Sequence, residues 1–230
     1  MSGNLPQHIA IIPDGTRRWA RKRGLPDIAG AIAGMKVAHQ AVDYLLGAGV
    51  RYLTMWGFST DNWKRPEEQV GLLLEQAQTW IEGDAPWLHS RGARLLHIGR
   101  TDRLPAGLKQ TMRHYGEVTR HNTGMTVMLA FDYGGRAELV EAMRRVMEAG
   151  VPSQMVNEEL VRHHLYTDGV PDVDLVIRTG GELRLSNFMI WQAAYSEYYF
   201  TPILWPDFDE AELKKALEAY SKRHRRFGGD

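Results

Sequence analysis

Short continuous apolar runs alternate along this chain with stretches whose apolar residues recur at helical spacing. His8-Ile-Ala-Ile-Ile12 is such a run, halted by Pro13-Asp14-Gly15, the pattern of a buried strand ending in a turn. Residues 16–22 read as the first turns of a helix. Over residues 31–47 the apolar positions Ile32, Met35, Val37, Ala38, Val42, Leu45 and Leu46 share one helical face, and the segment closes on glycine. Residues 50–58 predict a second strand, Pro66 opens a helix running to Glu82, and residues 93–98 predict a third strand. A helix over 104–120, a strand over 124–131 and a helix over 136–149 follow. Residues 157–165 predict a short helix capped by Asn157, with Glu158 and Glu159 favourable at its positive end. Residues 175–177 predict a fifth strand and residues 210–223 a last helix.

Strands separated by helices imply an α/β fold, a mainly parallel central sheet flanked by helices. No repeat, low-complexity segment or linker interrupts the pattern, so residues 1–230 are expected to form a single domain. Ligands of such sheets bind at the carboxyl ends of the strands. The polar motifs fall there: Asp14-Gly15, Ser59-Thr60-Asp61-Asn62, Tyr133-Gly134-Gly135-Arg136 and Arg178.

The densest chemistry lies in Asp174-Leu-Val-Ile-Arg-Thr-Gly-Gly-Glu-Leu-Arg-Leu-Ser-Asn-Phe188. A buried strand runs into a glycine turn that carries Arg178, Arg184 and Ser186, and these can converge on one multiply charged anion. The planar guanidinium fork matches phosphate oxygens, and glycines let backbone N–H groups approach them. Glu197 could hold a hard cation nearby. In Asp14-Gly-Thr-Arg-Arg-Trp19 a helix start offers unpaired N–H groups, and Arg17 and Arg18 add charge. Asp14 would repel a bare phosphate, so its presence there suits Mg²⁺; the alternative is a tight turn with solvated arginines. Ser59-Thr-Asp-Asn-Trp-Lys-Arg-Pro66 reads either as site lining or as an ordinary capped loop.

Composition narrows the partners. Lys and Arg total 28 and Asp and Glu total 28, so no global basic field points to nucleic acid. With no cysteine, disulfides, thiol catalysis and zinc–thiolate sites are excluded. The opening residues lack a signal-peptide pattern and no apolar stretch is long enough to span a membrane, so a cytoplasmic protein is expected. Seven Trp and ten Met suit a well-filled core or a greasy channel.

Together these segments resemble the cis-prenyltransferases, the undecaprenyl diphosphate synthase family, from His8 to the end of the chain. The resemblance rests on Asp14-Gly15-Thr-Arg-Arg-Trp19, Phe58-Ser-Thr-Asp-Asn-Trp-Lys-Arg-Pro66, Tyr133-Gly-Gly-Arg136, Ile177-Arg-Thr-Gly-Gly-Glu-Leu-Arg-Leu-Ser-Asn-Phe188, Trp205-Pro-Asp-Phe208 and Arg225-Arg-Phe-Gly-Gly229. It implies a homodimer, an apolar tunnel between sheet and helices, Mg²⁺ and isoprenoid diphosphate substrates. By resemblance, Asp14 assists the metal and ionisation, with Ser59 and Asn62 as further catalytic groups and Glu197 near the metal. Gly15, Thr16, Arg17, Arg18 and Trp19 would surround the allylic diphosphate. Arg178, Arg184 and Ser186 would hold the second diphosphate. Trp63 and Arg65 would line the junction, and Arg226 would reach the partner subunit's site.

Four positions depart from the family pattern. Thr16 stands where Asn is usual, Asp27 and Ala31 where Arg and His are usual around Gly30, and Gln69 where Glu is usual. Asp27 reverses a charge in the allylic pocket. Thr16 and Ala31 remove groups associated with proton removal after head-to-tail coupling. One expectation is an irregular, lavandulyl-type enzyme joining an allylic carbon to the middle of a second allylic unit. The alternatives are a regular synthase of short or medium chain length, compensated by Arg17, Arg21 or Arg23, and a non-catalytic scaffold subunit. Met125, Met128 and Phe131, with Leu72, Leu73 and Trp80, are candidates for limiting product length, the alternative being plain core.

Overall fold

A computed structural model describes residues 5–223; the terminal motif 225–229, with Arg226, lies outside the described residues. Six strands, β1 (His8–Ile12), β2 (Tyr52–Ser59), β3 (Arg94–Ile98), β4 (Thr126–Tyr133), β5 (Leu175–Arg178) and β6 (Glu197–Phe200), form one sheet in the order β3-β4-β2-β1-β5-β6. Every pairing is parallel. Helices α1 (Thr16–Lys22), α2 (Asp27–Ala48), α3 (Glu67–Ser90), α4 (Ala106–Val118), α5 (Gly135–Glu148), α6 (Glu158–His164) and α7 (Glu210–Ser221) connect and cover it.

Covered on both faces, the central strands can be apolar throughout, which is why β1 and β5 are buried at every position. The period of two then sorts their side chains. Ile9, Ile11, Leu53, Met55, Leu129, Phe131 and Ile177 join the larger core with residues of α2, α3, α4 and α7. Ala10, Ile12, Met128, Ala130 and Val176 face a second core with Phe188, Met189 and Ala193. This parity corrects one expectation. Met128 lies on the opposite face from Phe131, Leu73 and Trp80, so it cannot share a channel wall with them. Leu72 is exposed.

The sheet has six strands where the sequence predicts five. β6 escapes the pattern because it is four residues long and half-buried throughout, an edge strand without an apolar run. Helix α2 starts at Asp27, a turn before Ala31, since its first turn carries the helix-favouring Asp27 rather than core residues. Helix α3 continues past Glu82 to Ser90 with Pro86 inside it. The Glu82 carbonyl, which Pro86 cannot serve for want of an N–H, is approached by the Tyr115 hydroxyl at 3.5 Å. Asn157 caps α6 as expected, its carboxamide oxygen accepting from Leu160 N–H at 2.9 Å. Among the described residues no helix is long and apolar enough to cross a membrane.

Candidate active site

β1 lies between β2 and β5, and the chain leaves it toward β2 but leaves β5 toward β6. The connections diverge there, the point at which parallel α/β sheets place a ligand crevice, at the carboxyl ends of β1 and β5. Ile12 is in register with Arg178, so the residues beyond them meet across the crevice. Thr179 clamps the two sides: its hydroxyl donates to the Asp14 carbonyl at 2.8 Å and accepts from the Asp14 N–H at 2.9 Å. Gly180 follows with φ 84°, and a Cβ there would lie 2.5 Å from the Arg18 guanidinium and 3.2 Å from the Asp14 backbone. The approach of these two chains requires glycine.

Arg178 is 4 % exposed and forms the floor. One guanidinium nitrogen donates to Asp14 Oδ2 at 2.9 Å. Another donates to Ser186 Oγ at 2.9 Å and to the Arg184 carbonyl. Its Nε is buried without a partner. Ser186 and Asn187 both adopt left-handed backbone, φ 52° and 71°. Asn187 accepts from the N–H groups of Gly135 and Arg136 at 2.7 and 2.8 Å, which pins this irregular loop to the start of α5. The Arg184 guanidinium is exposed and paired with Glu182, so Arg184 meets Arg178 through its backbone.

The other wall is α1 and the start of α2. Arg18 donates to Asp14 Oδ1 at 3.2 Å, which gives the carboxylate a guanidinium on each oxygen. Asp27 is bridged by Arg21 through two bonds of 2.9 Å. That bonding holds the Asp27 carboxyl below its ordinary range, with Arg17 and Arg65 adding to the effect. Burial, then Arg17, pushes the Arg65 guanidinium below its ordinary range. Arg17, Arg21, Arg65 and Asp27 therefore share one electrostatic neighbourhood beside Asp14 and Arg18. Trp19 and Arg23 turn elsewhere: Trp19 Nε1 donates to Asp207 at 2.7 Å, and Arg23 reaches the same carboxylate at 3.2 Å while lying over the Trp19 ring.

Past β2, Ser59 and Asn62 form a reciprocal capping box on the short helix Thr60–Lys64, with the Ser59 N–H donating to Asn62 Oδ1 at 3.1 Å. Trp63 Nε1 donates to Asp132 Oδ1 at 2.8 Å. Asp132 is wholly buried with φ 50°, and Arg103 pairs with both its oxygens while lying over the Trp63 ring. Sequence reasoning passed over Asp132, Arg103, Thr179 and Asn187. Asp132 had a signal, a carboxylate closing an apolar run just before Tyr133-Gly-Gly-Arg136. Arg103 had none, since its partner is 29 residues away.

Glu197 is in register with Leu175, which pairs with Ile9, so it sits toward the amino ends of the strands, about 10 Å from the Arg178 level. It pairs with Arg223 at 2.6 Å and does not meet Asp14 within this chain. Among the described residues no three His, Asp or Glu side chains cluster as a metal cage. Asp14, a hard oxygen ligand 30 % exposed and flanked by cationic groups, nevertheless suits Mg²⁺, which typically takes one or two carboxylates plus substrate phosphates and water.

The Prenyltransf family model, that of the undecaprenyl diphosphate synthases, matches residues 12–228. The chain belongs to this prenyltransferase family. An isoprenyl transferase of Fusobacterium nucleatum is 45% identical over 229 residues, covering 100% of this chain and 98% of the relative. One from Thermotoga maritima is 44% identical, covering 98% and 97%. Among solved structures, lavandulyl diphosphate synthase from Lavandula x intermedia, in complex with dimethylallyl diphosphate, superposes with a TM-score of 0.94 at 35% identity, covering 97% of this chain and 98% of that one. A probable undecaprenyl diphosphate synthase from Campylobacter jejuni superposes at 0.83 and 30% identity, covering 98% and 99%. The family's prenyl-transfer chemistry and the parallel α/β fold thus agree with the expectations from sequence.

Proposed function

We propose that this isoprenyl transferase is a Mg²⁺-dependent enzyme that joins two short allylic diphosphates, coupling head to middle in the lavandulyl manner. The observation that carries the reading is the Arg21–Asp27 ion pair: the acid at position 27 is engaged by an arginine of this chain, while Thr16 and Ala31 lack the proton-handling side chains of the regular family pattern. The higher TM-score with the lavandulyl synthase, whose structure contains dimethylallyl diphosphate, supports it. In this reaction C1 of one allylic unit loses diphosphate with both bonding electrons. C2 of the second unit then bonds to C1, and the resulting tertiary cation sheds a proton from a methyl group. The products are one branched diphosphate, one pyrophosphate and one proton.

The chain's part is to hold two diphosphates side by side and stabilise the departing charge. Arg178, Ser186 and Arg184 would grip one. Arg18, with the backbone beyond Asp14, would grip the other, and Arg17 and Arg65 would add positive potential. Asp14 would hold Mg²⁺, which when bound neutralises diphosphate charge and aids its departure. Trp63, fixed by Asp132, would shape the space where the hydrocarbon tails meet. The tails would enter the apolar layer between the sheet and helices α2 and α3. A homodimer is part of the proposal, supported by exposed Val140, Met143 and Met147 recurring along α5.

A second reading, regular head-to-tail elongation, is favoured by the curated isoprenyl transferases at 43–45% identity. Incubation with dimethylallyl diphosphate alone, then with isopentenyl or geranyl diphosphate added, separates the two. A branched product from dimethylallyl diphosphate alone supports head-to-middle coupling. A linear Z-product formed only with isopentenyl diphosphate refutes it. Pyrophosphate release by the purified chain alone also disposes of a purely scaffolding role.

A further inference from the structure

An acid at position 27 would ordinarily weaken a diphosphate pocket, because a carboxylate repels phosphate oxygens. Its surroundings here reverse that expectation. Helix α2 lies hard against α1: a Cβ on Gly30 would stand 2.0 Å from the Thr16 carbonyl oxygen. Backbone contact this close leaves no room for adjustment, so the first turn of α2 is fixed beside the charged face of α1. Asp27 occupies that first turn and receives both Arg21 bonds in parallel, at 2.9 Å each. A bidentate pair orients the guanidinium plane as well as neutralising it. Arg17 and Arg65 also help to lower the Asp27 carboxyl, and Arg17 lowers the Arg65 guanidinium. The carboxylate bonds one guanidinium, Arg21, and feels two more, so three cations and one anion leave the cluster with a net positive charge.

We infer that Asp27 is a positioning residue, and that Arg21, held by it, binds the allylic diphosphate in this chain. The inference rests on the two-diphosphate reading above but not on the regiochemistry of coupling. Arg21 uses Nε and one terminal nitrogen on Asp27, so its other terminal nitrogen is left to donate to a phosphate oxygen. Asp27 itself touches no substrate. Its effect passes through the orientation of Arg21.

The test is calorimetric binding of the thiolo analogue of dimethylallyl diphosphate, with Mg²⁺ present, to the full chain and to Asp27→Asn, Arg21→Gln, the double variant and Asp27→Glu. Two binding steps are expected for the unaltered chain. Asp27→Asn and Arg21→Gln should each weaken one step about tenfold and leave the other unchanged. The double variant should be no weaker than Arg21→Gln, and Asp27→Glu should recover most of the loss. Unchanged or tighter binding by Asp27→Asn overturns the inference, as does an additive double variant or equal weakening of both steps. If the unaltered chain binds no analogue at all, the diphosphate reading itself falls and takes this inference with it.

Discussion

Arg178, the last residue of β5, donates to the carboxylate of Asp14, just beyond β1, at 2.9 Å. This bond turns two motifs 164 residues apart into one electrostatic unit. The carboxylate supplies a partner for a nearly buried guanidinium, and the guanidinium holds the carboxylate at the ends of β1 and β5. Replacing Arg178 by Lys keeps the charge and loses the fork that spans Asp14, Ser186 and the Arg184 carbonyl. We expect kcat/KM to fall roughly 100- to 1,000-fold in a pyrophosphate-release assay. An unaffected Lys variant would show that one positive charge suffices.

The pairing of Asp132 with Arg103 is the buried counterpart of this arrangement. Asn accepts left-handed backbone as readily as Asp, so Asp132→Asn isolates the charge from the conformation. It leaves Arg103 without its counter-charge while keeping an acceptor for Trp63 Nε1. Stability should fall by about 2 kcal/mol in urea unfolding. Trp63 fluorescence should change little, and a full-sized stability loss in Arg103→Ala should not add to it.

His8 makes the fold sensitive to acid. Its Nδ1 faces the Pro171 carbonyl at 2.8 Å, an acceptor only, so Nδ1 carries the proton and Nε2 accepts from the Thr54 hydroxyl at 2.8 Å. Burial lowers its pKa to about 4. The folded state therefore favours the neutral ring. Its contribution is fully present above the unfolded value near 6.5 and is lost as pH falls from there to about 4, by up to about 3 kcal/mol. Unfolding free energy measured from pH 7 to pH 4 should drop less steeply in His8→Gln; parallel curves would remove His8 as the cause.

Sheet parity decides which side chains can set product length. Leu129 and Phe131 face α2 and α3, whereas Met128 faces the other core. Phe131→Ala or Leu129→Ala should lengthen or broaden the products seen by mass spectrometry. Met128→Ala should leave product length unchanged while destabilising the protein by about 2–5 kcal/mol. A longer product from Met128→Ala alone would contradict the assignment of faces.

Much of the crevice was readable before the structure. The motifs at Asp14, Ser59, Tyr133 and Arg178 each follow a strand pattern, and a parallel sheet must bring strand ends of one direction to one edge. Other parts were not readable, because they depend on contacts between distant segments. The pairing of Asp132 with Arg103, and the clamp between Thr179 and Asp14, are of this kind. Glu197 stands near the Arg178–Ser186 turn in sequence, yet the register of β6 sets it toward the other end of the strands.

The order of apolar runs and helical periods was enough to specify a helix-covered parallel sheet, because each pattern is local and each buries a face of its own. Side-chain types near strand ends were enough to point to a phosphate-handling site, because guanidinium groups beside glycine turns match phosphate oxygens, but by themselves they left solvated turns and a capped loop as alternatives. Which arginine serves which carboxylate was left to the tertiary structure. A guanidinium can reach several partners, and only the packed distance between α1, α2 and the ends of β1 and β5 selects one.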